Sequence, residues 1–520
     1  MMRIAAIDMG TNSFHLMVAD VLADGSVQTV EKARAQVMLG SGGMAQHRIT
    51  PEAWSRGLEA LARFAETAEH LGAEEIHTAA TSAVREARNG PEFCRAVKAE
   101  TGIHVRVVTG PDEARLIWLG ARADLDVSRG PVLLFDLGGG STELILGSAE
   151  GLLEARSLPI GHIRLADRFQ RSDPMGTDER RAIRRHVRTL LAPLVPVIRP
   201  ERVGTLVGTS GTIRCLARMA TLARGEEVPA HDHGLVLRRP DLETLLEQFE
   251  RLTRDAIVQL PGMDAKRRDT LPAGAVVVRE VMRAFEVDSL VTSERSLRDG
   301  LVVDWIEHHR PELLVDARVH DPRERSIRVS MERFGVDVAH AEHVAHLSLA
   351  VFDGTAPAHR LGAHERELLR AAALLHDIGH HISPKSHHKH GHYLLQHIRM
   401  WGFTAPEVAM LATLVRYHTR SMPKPTHPEW KALSGEDQAR ARVLAGILRL
   451  ADALDRGHAH AVDGLRVELD DDEVRVVAHA DEGGDLERWS ARERTELLAR
   501  ALGIPVAVQL ERGTPSQDET

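Results

Sequence analysis

Two short stretches set a carboxylate at the mouth of a glycine- and hydroxyl-rich turn. Asp8 leads into Met-Gly-Thr-Asn12-Ser13, and Asp136 leads into Leu-Gly138-Gly139-Gly140-Ser141-Thr142, with Glu143 directly after. Glycine turns let backbone N–H groups approach an anion closely, hydroxyls add donors, and a neighbouring carboxylate holds a divalent cation or the water it orders. That is equipment for a phosphoryl group with a metal. A third turn, Gly208-Thr-Ser210-Gly211-Thr212, opens a helix-like run and offers amides at a helix entrance, where phosphate binds readily. Any one of these alone reads as an ordinary turn; three, two of them with carboxylates, favour the anion reading.

The elements that must position these loops follow from hydrophobic periodicity. Residues 3–21 read strand, turn, strand, and the same grammar returns from Val132, with Asp8/Asp136, Gly10/Gly138, Ser13/Ser141 and Leu16/Leu144 in matching places. An internal duplication of this kind predicts two similar lobes with facing loops. Amphipathic helices are expected at 51–71, 91–100, 112–122, 177–192, 239–255 and 273–285, and another begins at Leu297. The expected division is a lobe at 1–125, a second at 126–310 whose helix near 297–309 packs back on the first, a helical domain at 322–455, and a small α+β appendage at 460–513. Arg310-Pro311 marks the boundary between halves, and Thr514–Thr520 are expected to be disordered.

Composition narrows the function classes. The chain has 520 residues, 43% of them hydrophobic and 27% charged, enough apolar side chain for several cores. Neither a run of about 18 apolar residues nor a signal-peptide pattern occurs, and Cys94 and Cys215 form no disulfide framework or CxxC site; a reduced, cytoplasmic protein is expected. A net charge of −9 and 3% aromatic residues argue against a generic polyanion surface and against base stacking, hence against specific nucleic-acid binding. An anionic ligand must therefore be held by a local site.

The 30 histidines are unevenly spread, with eight between His376 and His397. The order His343, His376-Asp377, Asp452 gives a mixed nitrogen and oxygen set suited to a divalent transition metal. His380, His387, His388, His390 and His418 are further ligand candidates for a second ion, while any single one of them reads equally as a satisfied structural histidine.

The motifs Ala5-Ala-Ile-Asp-Met-Gly-Thr-Asn-Ser, Ala80-Thr-Ser-Ala-Val-Arg-Glu, Gly110-Pro-Asp-Glu-Ala-Arg, Asp136-Leu-Gly-Gly-Gly-Ser-Thr-Glu and Gly208-Thr-Ser-Gly-Thr together resemble the exopolyphosphatase/guanosine pentaphosphate phosphohydrolase (Ppx/GppA) family. The resemblance implies two α/β actin-like, ribonuclease-H-like (ASKHA) lobes with the active site in their cleft. It implies removal of a terminal phosphate from inorganic polyphosphate, or alternatively from guanosine pentaphosphate, with Mg²⁺ or Mn²⁺, by a homodimer. It assigns Glu113 as the catalytic base, Asp136 and Glu143 as metal carboxylates, and Asp8 as a contributor through water or loop shape. Asn12, Ser13, Gly138, Gly139, Gly140, Ser141, Thr142, Ser210, Gly211 and Thr212 would cradle phosphate, with Arg85 and Arg267 pairing to it. Residues 322–455 resemble the HD phosphohydrolase superfamily, with His343, His376, Asp377 and Asp452 as the metal set. Two competing readings make the first half a nucleotide or alarmone sensor for a catalytic HD site, or an actin-like kinase.

Overall fold

Alternating apolar residues on either side of the first turn form β1 (Met2–Met9) and β2 (Phe14–Val21), which pair antiparallel with Asp8 opposite His15. With β3 (Val27–Ala35) and β4 (Glu75–Ala80) they make a sheet ordered β3-β2-β1-β4, β4 lying parallel to β1. The second hairpin repeats the plan. Here β5 (Val132–Leu137) and β6 (Thr142–Ser148) pair antiparallel with Asp136 opposite Glu143, flanked by β7 (Gly151–Leu158) and by β8 (Thr205–Thr209), parallel to β5. With β9 (Val236–Arg238) and β10 (Ser289–Thr292) the order is β7-β6-β5-β8-β10-β9. The two sheets thus share a four-strand core arrangement, and the duplication in sequence is a duplication in topology.

In the computed structural model, which describes residues 2–22, 26–127, 130–310, 313, 321–470, 472–480 and 484–512, the chain divides into two compact units. The first is Met1–Val228 with Asp232–Pro322, the second Pro229–His231 with Arg323–Thr520. Pro311 and the tail 514–520 lie outside the described residues.

The helix Leu297–His309 lies along the helix Gly110–Ala121 and over the first sheet, burying Leu301 and Trp305 with Ile4, Ala6, Leu116 and Trp118. Two glycines permit this close crossing. A Cβ on Gly300 would stand 1.8 Å from the Leu116 carbonyl oxygen, and one on Gly120 would stand 2.5 Å from that of Ser296. Trp305 also donates its indole N–H to Glu75 of β4 at 3.0 Å.

The second unit is built on helices Pro322–Arg333, Val338–Gly354, Ala363–Leu375, His387–His397, Ala405–Tyr417 and Gly435–Ala453. Three strands follow, β11 (Gly464–Leu469), β12 (Val474–Ala480) and β13 (Val506–Arg512), the last parallel to β12. Val476, Leu498 and Val508 share a single apolar core with Leu444 and Leu448 of the helices. Two short helices, Asp485–Arg492 and Glu496–Leu502, lie between β12 and β13. Among the described residues no helix is long and apolar enough to cross a membrane.

Candidate active site

The first two loops face one another at contact distance. A Cβ on Gly139 would stand 3.2 Å from the Thr11 Cβ, and one on Gly140 would stand 2.9 Å from the Thr11 hydroxyl. The carbonyls of Gly138, Gly139 and Gly140 accept from the amides of Gly161, His162, Ile163 and Arg164, and that of Gly140 also from the Arg164 guanidinium at 2.7 Å. With its negative ends satisfied, the loop keeps amide donors for an anion. Arg164 reaches on to Glu86, both carboxylate oxygens at 2.8 Å, tying this loop to the short helix Ser82–Glu86 of the first lobe. The third loop bends sharply: Ser210 has φ 89, in the left-handed region, and its hydroxyl caps Ile213 as the helix Gly211–Ala223 begins.

Glu113 enters from the helix Gly110–Ala121, whose start is fixed by Pro111 and by Thr109, the hydroxyl of which caps Asp112. Its side chain is buried and accepts from Arg85 at 2.8 Å, while Arg85 also holds the Val108 carbonyl at 2.8 Å. Arg85, expected to meet phosphate, is thus engaged as the clamp that orients Glu113. Burial pushes the Glu113 carboxyl up to about 7, Arg85 pulling against it and Asp136 and Glu86 reinforcing it. Asp8 is likewise raised to about 7 by burial and by Glu113, with Arg298 opposing. Burial, Glu113 and Asp136 hold Glu143 well above the usual carboxylate range, and burial raises Asp136 against the pull of Thr209 and Arg214. Four carboxylates share one electrostatic neighbourhood that favours uptake of a cation or a proton.

The duplicated strands align their polar groups in rows. Asp8, His15 and Arg34 stand side by side across β1, β2 and β3, and Asp136, Glu143 and Ser157 across β5, β6 and β7, with Ser157 donating to Glu143 at 2.7 Å. Arg34 donates to the Ser13 hydroxyl at 3.1 Å. Arg267 lies over the third loop, where its guanidinium donates to Thr212 at 3.3 Å and fills the space beside Gly211; a Cβ there would come within 1.8 Å of it. Arg34, Arg214, Arg267 and Arg298 converge on His15, which burial and these four cations hold well below its ordinary value. Burial and the Arg34 charge lower Arg267 itself to about 10. Four guanidiniums brought together, Arg34 exposed and the others partly buried, are stabilised by an anion between them. Of the four only Arg267 belongs to a recognised motif; His15 and Arg34 are placed by strand pairing, Arg214 by the helix Gly211–Ala223 and Arg298 by the returning helix.

In the second unit the structure brings His376, Asp377 and Asp452 together but replaces His343. The third histidine is His340, whose Nε2 is 3.9 Å from both Asp377 Oδ2 and Asp452 Oδ1. His343 stands with Asp455 and His460 instead, its Nε2 on the Val462 carbonyl at 2.8 Å. The reason is helical register. His340 continues the buried stripe Val344, Leu347 and Val351, whereas His343 is only half-buried. Nor is the His376-Asp377 pair within a helix: the helix Ala363–Leu375 ends just before it and a single 3₁₀ turn, Ile378–His381, follows. Burial alone would lower His376, but Asp377 and Asp452 raise it to about 9, and His376, with His380 and His418, holds Asp377 far below its usual range despite burial.

The Ppx/GppA phosphatase family matches residues 17–309. This chain belongs to that family. Domain III of Ppx/GppA phosphatases matches residues 323–483, the helical part of the second unit with β11 and β12. A guanosine-5'-triphosphate,3'-diphosphate pyrophosphatase of Photobacterium profundum is 30% identical over 447 residues, 86% of this chain and 85% of that protein. Two solved structures resemble the first half. An exopolyphosphatase of Cytophaga hutchinsonii is 32% identical with a TM-score of 0.56, covering 59% of this chain and 98% of its own. The Ppx/GppA family member of Aquifex aeolicus is 28% identical with a TM-score of 0.51, covering 59% and 99%. The chain is therefore a phosphoanhydride hydrolase built on the actin-like lobes of the Ppx/GppA proteins, with a mainly helical portion after them.

Ppx/GppA phosphatases depend on a divalent metal, and the residues of this cleft fit one. Asp8, Asp136 and Glu143 are an all-oxygen set whose raised proton affinity a cation would relieve. Among the described residues, the groups of three with ligand atoms all within 4.8 Å belong to the second unit. The cleft is accordingly suited to an ion taking one or two carboxylates and keeping waters or phosphate oxygens, rather than to a closed cage.

Proposed function

We propose that the first unit removes terminal phosphates from inorganic polyphosphate by in-line attack of water, with Glu113 as the general base. The observation that carries this reading is Glu113 itself: buried, clamped by Arg85, raised to about 7, and grouped with the carboxylates beside two donor-rich loops. A base with that affinity takes a proton near neutral pH. Water loses its proton to Glu113 as its oxygen bonds to phosphorus. The bridging P–O bond breaks, and the shortened chain leaves with the electron pair as a phosphate anion. Asp136 and Glu143, with Asp8 through water, would hold Mg²⁺ or Mn²⁺, which neutralises developing charge on the phosphoryl oxygens. Asn12, Ser13, Gly139, Gly140, Ser141 and Ser210–Thr212 would donate to the phosphate, the Gly138 amide and the Thr142 hydroxyl being spent on the Ser141 and Ile160 carbonyls, and Arg34, Arg214, Arg267 and Arg298 would pair with the chain that follows.

Guanosine pentaphosphate is a second substrate reading, favoured by the Photobacterium relative's name and by the breadth of that match, which extends beyond the lobes. Both substrates end in the same phosphoanhydride, and the residues around the reacting bond serve both. The second unit is read as an HD-type domain, supported by the intact His376-Asp377 pair and its companions. Homodimerisation and a cytoplasmic location are kept with this reading.

The test is phosphate release from long-chain polyphosphate and from guanosine pentaphosphate, side by side, for wild type, Glu113→Gln and His376→Ala, with Mg²⁺ and then Mn²⁺. Activity lost with Glu113→Gln and retained with His376→Ala is expected. The reverse pattern would replace this reading with a sensor controlling a catalytic second unit.

A further inference from the structure

We propose that Arg34 is a positioning residue for the hydrolysis, one that makes the Ser13 hydroxyl an obligate hydrogen donor to the phosphoryl oxygens. The inference rests on the reading above that places phosphate at the first loop, and gives Arg34 a task beyond pairing with the chain that follows. Nε and Nη2 of Arg34 both donate to Ser13 Oγ, at 3.2 and 3.1 Å. A guanidinium carries N–H donors and no acceptor, so the hydroxyl hydrogen cannot lie on that side. It is turned away from Arg34 and left for a ligand. A serine hydroxyl otherwise rotates to suit whichever neighbour it meets. Here Ser13 is buried, and a charge-assisted contact fixes the rotor. A donor fixed in advance stabilises negative charge on phosphoryl oxygens without reorganising as the reaction proceeds.

Strand register supplies the clamp. Ser13 directly precedes β2, and Arg34 on β3 pairs with His15, so the long side chain reaches back along the sheet to Ser13. The chain just past β3 holds the same loop, the amides of Met38 and Gly40 donating to the carbonyls of Asn12 and Thr11 at 2.8 and 3.1 Å. The second hairpin has the opposite polarity. The spacing that aligns Ser13 with Ser141 aligns His15 with Glu143, and β7 brings Ser157 to the place where β3 brings Arg34. Ser141 and Ser157 both give their hydroxyl hydrogens to Glu143. Ser141 therefore donates to phosphate through its amide and offers the cleft a hydroxyl oxygen, where Ser13 offers a hydroxyl hydrogen. The duplicated serines have parted roles because one faces a guanidinium and the other a carboxylate.

Phosphate release by the full chain is measured with saturating Mg²⁺ on long-chain polyphosphate and on guanosine pentaphosphate, for wild type, Arg34→Ala, Ser13→Ala and the double variant. Each single variant is expected to lose about tenfold or more in kcat, the order of one hydrogen bond to a charged group, and the double variant to lose no more than Ser13→Ala. Arg34 is exposed at the edge of its sheet, so guanidinium chloride, added below the concentration that unfolds the chain, is expected to restore part of kcat to Arg34→Ala and none to the double variant. Thermal unfolding checks that each variant keeps its fold, and the guanidinium comparison is made within one variant. Losses that multiply in the double variant, or a raised KM with unchanged kcat in Arg34→Ala, overturn the positioning role and leave Arg34 a contact to the chain alone. An unchanged kcat in Ser13→Ala overturns the placement of phosphate at the first loop, and this inference with it.

Discussion

At the residue scale, Glu113 as the proposed base is expected to set the pH behaviour. A base must be ionised, so phosphate release is expected to rise as pH passes through about 7, and replacing the base with Gln is expected to lower kcat by roughly 10²–10⁴-fold and erase that limb. Steady-state rates between pH 5.5 and 8.5 check both. Stability moves the other way. Glu113 and Asp8, raised to about 7 in the folded chain, keep protons that an unfolded carboxylate releases near pH 4, so their contribution is fullest below that value and is lost as pH rises through 7. Mg²⁺ is therefore expected to raise the Tm of chelator-treated protein more at pH 8 than at pH 5; equal shifts would show that the carboxylates do not share the ion. Arg267, over the third loop, is expected to act on binding: Arg267→Met should raise KM for long chains about tenfold or more and flatten its salt dependence, while kcat changes less.

At the element scale, the crossing of helices 110–121 and 297–309 carries Glu113 on one member and Arg298 on the other. A methyl group at Gly300 cannot fit beside the Leu116 carbonyl. Gly300→Ala is expected to cost about 1–3 kcal/mol in urea unfolding and to reduce kcat through displaced Glu113, although residue 300 touches no substrate. Sequence patterning captures these elements well, because amphipathic period and glycine turns are local properties; the duplicated hairpin and the long helices all form within a few residues of expectation. What depends on pairing is not local. His15 and Arg34 join the site only because β2 and β3 align them with Asp8, and in an arginine-rich chain nothing in their own neighbourhood marks them. His340 and His343 lie three residues apart on one helix, and the choice between them follows from which side packs inward. The apolar stripe at 344, 347 and 351 carries that signal; the spacing of histidines alone does not.

At the scale of the whole molecule, two units with separate cores carry different candidate donors, carboxylates in one and imidazoles with carboxylates in the other. Calorimetry is expected to resolve two unfolding transitions, with Mg²⁺ moving one and Co²⁺ moving the other as well, since hard and borderline ions sort by donor type. A single transition moved equally by both ions would mean that the units unfold as one.

The helix 297–309 has a further consequence, for how the chain is made. It belongs to the first lobe's core, yet it is separated from the strands it covers by the entire second lobe. During synthesis β1 and β4 emerge early and wait, with Ile4, Ala6 and Leu116 uncovered, until Trp305 leaves the ribosome. At about 5–20 residues per second that interval is on the order of ten seconds or more, long enough for exposed apolar strands to need a chaperone. The last helix of the catalytic half thus acts as a clasp that keeps the first lobe from maturing before the second exists.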